Sequence, residues 1–338
     1  LSSAPLVNFQ NQVLPNAGVL PFVQQMNFGQ IVGQGLAANP DWDPSEAQVE
    51  VNSIVRSIYD RRTWFGLMIR GQIATSGFTI GGSVNITQGS NQVQGVGTSW
   101  TPAVVGMCFR LGYNTPPYVI TQVDTFNQIL TIEMPWASVS YTGAGYFIAQ
   151  YYYGLGANIK YIHTAKNLLM AWRMQLGYNQ QTLDAVDVWR ISTFMPACLA
   201  QMPPDQNGAY QVELWPVPSI VQALPFIACV QPPNLINDSD SLPAYIRCDI
   251  VVKFLKAEAK VVYGPKRNKY YDAADSGRLR GEAEAELVRM ALTDETLYRQ
   301  NLINEIESMR MAPTPYELTA TYGINRGVAA PDNGGVWG

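Results

Sequence analysis

Three glutamates at alternate positions, Glu282, Glu284 and Glu286, come nearest in this chain to a paired-carboxylate site. Two carboxyl groups on one face can act as general acid and base when their surroundings push their pKa values apart. Glu282 and Glu286 share a helix face, but Arg278 and Arg289 lie within a turn of them, so a solvated, ion-paired surface is expected. Asp238 and Asp240, in an Asn-Asp-Ser-Asp run, resemble a calcium loop only superficially, because no glutamate follows at the EF-hand spacing. Their expected role is local, at the start of a helix. With a single histidine, His163, a His-rich zinc site is excluded, and a Ser–His or Cys–His pair would have to be built on that residue alone. Cys108, Cys198, Cys229 and Cys248 are scattered and form no CxxC, the pattern of free buried thiols in a reducing compartment. Gly95-Val96-Gly97 lacks the Lys-Ser/Thr and the following helix of a phosphate loop and reads as a strand turn. No nucleophile, base and oxyanion donor belong together, so the expectation is no catalysis, no cofactor and no metal.

Lys253, Lys256, Lys260, Lys266, Arg267 and Lys269 form the strongest basic feature, and the first three recur on one helix face. A solvated face, or a dock for an acidic protein partner, is expected of them ahead of a nucleic-acid contact. The aromatic residues between 100 and 153 are expected in a barrel core and a subunit interface ahead of sugar-binding platforms.

The elements that must position these groups follow from composition and period. The chain has 338 residues, 47% of them apolar, enough for two domains and a sizeable core. Only 14% are charged, which suits a protein with extensive protein–protein contact, and the net charge of −4 gives no general reason to bind nucleic acid or an acidic membrane. No stretch approaches a membrane span and no cationic-then-apolar leader is visible. Residues 1–40 carry no charged side chain and read as an extended arm lying against neighbouring subunits. Asp43-Pro44-Ser45-Glu46 is a helix start, with Glu46 placed for a capping box, and Val51, Ile54, Val55 and Ile58 give the helix one apolar face. Over residues 71–159 the only charges are Arg110, Asp124 and Glu133, and about six short alternating strands predict an inserted small all-β barrel or sandwich. Ile162, Ala165, Leu169, Trp172 and Leu176 then fall at heptad spacing and predict a helix packing on the first one. Further on, residues 187–194 read as a strand, and strands ending at Trp215-Pro216 and returning over 224–230 read as a β-hairpin within 209–231. A helix follows over 243–263, and a last helical region, with kink points at Gly277, Gly281 and Thr293-Asp294-Glu295, runs over 266–311. Ala312-Pro313-Thr314-Pro315 breaks it, leaving a C-terminal arm, 313–338, with Tyr316, Tyr322, Arg326 and Trp337 as anchors.

The run Val212-Glu213-Leu214-Trp215-Pro216, followed by Asp238-Ser239-Asp240-Ser241-Leu242-Pro243-Ala244 opening a helix, resembles head–tail adaptor (connector) proteins of tailed bacteriophages. The likeness spans roughly residues 43–70 and 160–311, while residues 85–100, 119–124 and 145–149 resemble a module that recurs, usually as an insertion, in phage virion proteins. What it implies is an α+β fold: an adaptor-type helical bundle over 41–70 and 160–312 with a β-hairpin, plus the inserted β domain. It also implies a structural virion protein, assembled in the bacterial host cytoplasm, that forms a homo-oligomeric ring, commonly dodecameric in that family, under the portal at the head–tail neck. The helical bundle would form the ring wall, the C-terminal arm would reach the portal, and DNA would pass through the lumen without specific binding. Glu213, Leu214, Trp215 and Pro216 mark the adaptor hairpin. The alternatives are a tail-side neck, stopper or fibre-attachment protein and, third, a carbohydrate-recognition module.

Overall fold

A computed structural model of the chain describes residues 26–112, 115–156, 158–204, 208–243, 245–298, 310–312 and 314. The described residues are mostly β, arranged as several sheets with a helical layer at one end, which corrects the helical-bundle expectation.

The helical layer begins within the stretch expected to be an extended arm. Asn27 caps α1 (Phe28–Ala38): its side chain accepts from the Gln30 backbone N–H while the Gln30 side chain accepts from that of Asn27. Three glycines within α1 lower its helix propensity, but Phe28, Ile31, Val32 and Gly35 make one buried face. Gly35 is needed there, since a Cβ at that position would sit 2.7 Å from Leu255 Cδ2. Helix α2 (Pro44–Arg61) starts on Asp43, whose carboxylate accepts from the Ser45 and Glu46 amides at 2.7 and 3.4 Å. Glu46 makes no reciprocal box and instead accepts from the Tyr263 hydroxyl at 2.5 Å. Val51, Ile54, Val55 and Ile58 are buried against α4 (Cys248–Val261), and α6 (Ala273–Tyr298) adds Ala283, Leu287 and Met290. Between them lie the short α3 (Gln180–Asp187), elsewhere in the molecule, and the single turn α5 (Gly264–Arg267). Helix α6 runs unbroken past every predicted kink point: Gly277 and Gly281 are exposed, and Asp294 is buried as an acceptor described below.

The first strand, β1 (Met68–Ala74), leaves this layer and joins a sheet. After an excursion the chain returns through β9 (Tyr152–Gly156), β10 (Ile159–Asn167), β11 (Trp172–Arg173) and β12 (Gln175–Asn179). Beyond α3 come β13 (Thr193–Phe194), β14 (Cys198–Met202), β15 (Tyr210–Trp215), β16 (Val217–Pro218) and β17 (Ala223–Val230), and β18 (Arg310–Met311) lies near the end. One sheet has the order β1-β17-β10-β11-β18, a second β12-β14-β15-β9, and β13 pairs with β16. Inward side chains of the two larger sheets, Ile73, Leu155, Ile162, Leu199, Val212, Leu214 and Phe226 among them, share a core.

Two corrections have clear physical causes. The heptad series over 162–176 is strand and turn: β10 shifts register against β17 between Ile159 and Tyr161 and again between Ile162 and Thr164. Each shift breaks the two-residue alternation, so Ile159, Ile162 and Ala165 are buried at steps of three and imitate a helix. Leu169, 61% exposed, sits in the following turn, where Ala171 takes φ 51°. The predicted hairpin is likewise absent, because β15 pairs with β14 and β9 while β17 pairs with β1 and β10. Pro216 and Pro218 have no N–H for a ladder, and the chain crosses to the other sheet there. The predicted strand over 187–194 is the end of α3 and a turn, with β13 only at its last two residues; Asn179 caps α3 by accepting from the Thr182 amide at 2.9 Å.

The excursion between β1 and β9 is a curled seven-stranded antiparallel sheet. Its strands are β2 (Ser83–Ile86), β3 (Gln92–Val96), β4 (Cys108–Arg110), β5 (Tyr118–Asp124), β6 (Ile129–Ile132), β7 (Tyr141–Ala144) and β8 (Phe147–Ala149), in the order β7-β2-β3-β6-β5-β4-β8. It encloses its own core around Trp100, Phe109, Tyr118, Trp136 and Tyr146. Trp100 Nε1 donates to the Tyr146 hydroxyl at 2.9 Å and Trp136 Nε1 to the Val139 carbonyl at 2.8 Å, so both indoles are buried with their polar atom satisfied.

Candidate functional site

The motif residues Glu213, Leu214 and Trp215 lie on β15 and, with Pro216 behind a cis peptide bond, are all buried. Leu214 faces the shared core of the two sheets and Trp215 packs with Leu183, Ala197 and Cys198. Glu213 is 1% exposed, and its carboxylate receives Arg190 Nε at 2.5 Å and Nη2 at 3.2 Å in a two-point pair. Arg190 also meets Asp184 at 2.7 Å and donates to the Asp187 carbonyl. Asp187, at the end of α3, accepts from the Ile191 and Ser192 amides at 2.8 and 2.9 Å and from Trp215 Nε1 at 3.1 Å. Arg190 itself takes φ 51°, and its carbonyl receives Arg110 Nη1 at 2.9 Å.

Arg110 reaches this network from β4 of the curled sheet. It is fully buried, donates to the Tyr151 hydroxyl at 3.1 Å and lies 5.5 Å over the Phe147 ring. One connected cluster thus ties the curled sheet to α3 and β15. Burial pushes the Glu213 carboxyl above its ordinary value, with Arg190 pulling it back. Burial also opposes the Arg190 charge, yet the Glu213 and Asp184 carboxylates hold its pKa above the ordinary value. Tyr151 is pushed up to about 12 by burial, against the pull of Arg110. These charges answer one another inside the protein, so the arrangement is suited to fixing geometry and not to reacting with a substrate.

A second buried carboxylate works in the same way. Asp294, 1% exposed on α6, accepts from the Phe65 and Gly66 amides at 2.9 and 3.1 Å and from the Tyr245 hydroxyl. It pins the turn through which the helical layer passes into β1.

Elsewhere the remaining candidate residues take part in local structure. Glu282 meets Arg278, Glu284 meets Arg61, and Glu286 meets Lys253 at 2.5 Å, so each carboxylate has its own cation. Asp240 accepts from the Ile236 and Asn237 amides at 2.7 and 2.9 Å, and its carbonyl, with that of Asp238, receives the Phe28 and Gly29 amides. The Asp-Ser-Asp run therefore seats the start of α1; α4 begins further on, at Cys248. His163 lies on β10, and burial lowers its pKa. Gly97 is a strand turn at φ 68°. All four cysteines are buried and free, and burial raises the thiol pKa of Cys108 and Cys198. Among the described residues no group of histidine, cysteine or acidic side chains could hold a metal. A cleft of about 260 Å³ between α2, α4 and α6 is lined by Ser53, Ser57 and the charged residues Glu50, Arg61, Glu258 and Arg280.

Surface chemistry is the more informative feature. Ile80, Val96, Phe126, Met134 and Val139 of the curled sheet are each at least half exposed, Phe126 at 93%. Phe126 sits on a braced turn: Asp124 accepts from the Phe126 and Asn127 amides at 2.9 and 3.0 Å, and Gln128 ties the turn to Trp100. By contrast Trp100, Phe109, Tyr118, Trp136 and Tyr151 are buried and offer no stacking platform. Tyr316, Tyr322, Arg326 and Trp337 lie outside the described residues, as does nearly all of the 313–338 arm. Sequence reasoning missed Arg110, Arg190, Asp187 and Asp294. The available signal was an isolated arginine inside an apolar run, Met107-Cys108-Phe109-Arg110-Leu111 and Val188-Trp189-Arg190-Ile191. No family model matches the chain, and no curated protein is detectably similar to it in sequence.

Proposed function

We propose that the chain is a non-catalytic assembly protein of a tailed-phage virion, a head–tail adaptor that forms a homo-oligomeric ring under the portal and passes DNA through its lumen. The observation that carries the assembly reading is the charge-poor surface of the curled-sheet region. Residues 71–159 hold three charges; Arg110 is buried, which leaves Asp124 and Glu133 as the charged side chains of a surface that also bears five apolar side chains at least half exposed. A free-standing domain keeps far more charge on its surface, so this region is suited to being covered by protein. The position in the virion rests on the likeness of residues 212–216 and 238–244 to phage adaptors. In this reading the ring wall is built from the sheets and the helical layer together.

The Phe126 turn favours a second reading, a tail-side neck or fibre-attachment protein whose main interface is the curled sheet, since an exposed aromatic on a braced backbone suits the centre of a binding surface. Among the described residues no helix is long and apolar enough to cross a membrane. Electron microscopy of the full chain incubated with purified portal protein tests the first reading. Rings with an axial opening seated on the portal are expected, and a portal left bare at saturating protein would refute it.

A further inference from the structure

The structure splits the basic stretch 253–269 into two parts with different fates. On the α4 side Lys253 is held by Glu286 at 2.5 Å and Glu282 at 3.8 Å, and Lys260 by Asp275 at 3.9 Å, so these cations serve helix packing. Lys256 is half-buried on the same helix. On and after α5 the situation reverses. Lys266 and Arg267 are exposed and make no ion pair among the described residues, and Lys269, 3.6 Å from Asp41, is still 80% exposed. Tyr270 and Tyr271 follow at 41% and 39% exposure.

This loop is braced from beneath. Asn268 is 5% exposed; its Nδ2 donates to the Ala259 and Val262 carbonyls at 3.1 and 3.0 Å, and its Oδ1 accepts from the Tyr270 amide at 2.8 Å. The Asn268 amide closes α5 on the Gly264 carbonyl, and the Asp272 amide returns to the Lys260 carbonyl. Five long side chains are therefore presented on a braced backbone, and little backbone ordering entropy opposes contact with a partner. Nearby carboxylates are engaged: Asp41 with Lys269, Asp43 as the α2 cap, Glu46 with Tyr263, and Asp272 with the Asp275 amide. They temper the positive field without covering Lys266 and Arg267.

We propose that Lys266, Arg267 and Lys269, with Tyr270 and Tyr271, form a weak, sequence-nonspecific contact for the phosphate backbone of duplex DNA. Lysine, arginine and tyrosine side chains are the usual partners of phosphate oxygens, and such a contact needs no pocket. An acidic protein partner would need an apolar patch to bury at the centre of the contact, and from Gly264 to Asp272 the exposed side chains apart from Pro265, Tyr270 and Tyr271 are polar or charged. Facing the loop toward a lumen rests on the adaptor reading; the binding itself does not. Two uncovered cations per protomer give a contact that a moving duplex escapes, while a ring multiplies its retention.

The test uses the full chain and a labelled 30-base-pair duplex in fluorescence anisotropy. With two phosphates neutralised, raising salt tenfold from about 20 mM should weaken binding about sixty-fold. Lys266→Glu/Arg267→Glu should lower affinity more than tenfold and flatten the salt dependence, with an unchanged circular dichroism spectrum. The milder Lys266→Gln/Arg267→Gln variant should do the same in smaller degree. Unaltered binding by both variants, absence of binding by the parent at low salt, or equal binding of labelled poly-glutamate of matched charge overturns the proposal. Loop-dependent DNA binding by a protein that never joins a portal would sustain this contact and remove the adaptor reading. Ring assembly without loop-dependent binding would do the reverse.

Discussion

The Arg190–Glu213 pair yields an asymmetric prediction. Glu213 is 1% exposed and has Arg190 as its only cation among the described residues, so Arg190→Ala strands a buried carboxylate. It also removes the donor that holds the Asp187 carbonyl and Asp184. Removing one member of a buried pair costs about 3–5 kcal/mol, and Arg190→Ala belongs at the upper end. Glu213→Ala belongs at the lower end, about 3 kcal/mol, because Arg190 keeps Asp184, whose side chain is 42% exposed and reaches solvent. Equilibrium urea unfolding followed by tryptophan fluorescence reads both, since Trp215 is bonded into the same network through Asp187. The double variant Arg190→Met/Glu213→Leu should be more stable than Arg190→Ala alone, because apolar groups of similar volume leave no charge uncompensated. Two single variants within about 1 kcal/mol of the parent, or a double variant no more stable than Arg190→Ala, would refute the claim that this pair holds the junction together.

Other outcomes follow from the same geometry. Gly66→Ala would place a methyl group inside the Tyr245 ring, so it should destabilise by about 1–3 kcal/mol, read as a lowered unfolding midpoint. Backbone hydrogen bonds from Ile236 and Asn237 hold the Asp240 carboxyl below its ordinary value of 3.8. Its folded pKa is the lower one, so its contribution is present above 3.8 and is lost as pH falls through the folded value; amide NMR shifts of Ile236 and Asn237 should titrate with a midpoint below 3.8. Cys108 and Cys198, buried and with raised thiol pKa, should resist a disulfide reagent at pH 8 and react once urea unfolds the chain. Deleting residues 313–338 should abolish portal binding while circular dichroism stays native; undiminished binding would remove the arm from the account.

Local signals in this sequence were readable where one element decided its own state. The Asp43-Pro44 start and the face of Val51, Ile54, Val55 and Ile58 depend on neighbours within a turn, and the helix forms as those neighbours dictate. Val84, Ile86, Val93, Leu130 and Ile132 alternate with polar residues and are buried in strands for the same reason. The misreadings arose where distant pairing set the outcome. Bulges in β10 are created by its register with β17, some sixty residues away, and they turned a strand into an apparent heptad. In α1 the glycine-rich composition masked a helix whose stability comes from packing on α4 and from the 238–240 loop. The buried network was illegible because Arg110, Arg190 and Glu213 are brought together only by the fold; the apolar runs around the two arginines hint at burial but name no partner.

The most direct test of the central claim is the native mass of the full chain, alone and mixed with portal protein. The adaptor account predicts a discrete ring complex of fixed stoichiometry that forms on the portal. A chain that stays monomeric beside an unbound portal at tens of micromolar would contradict it.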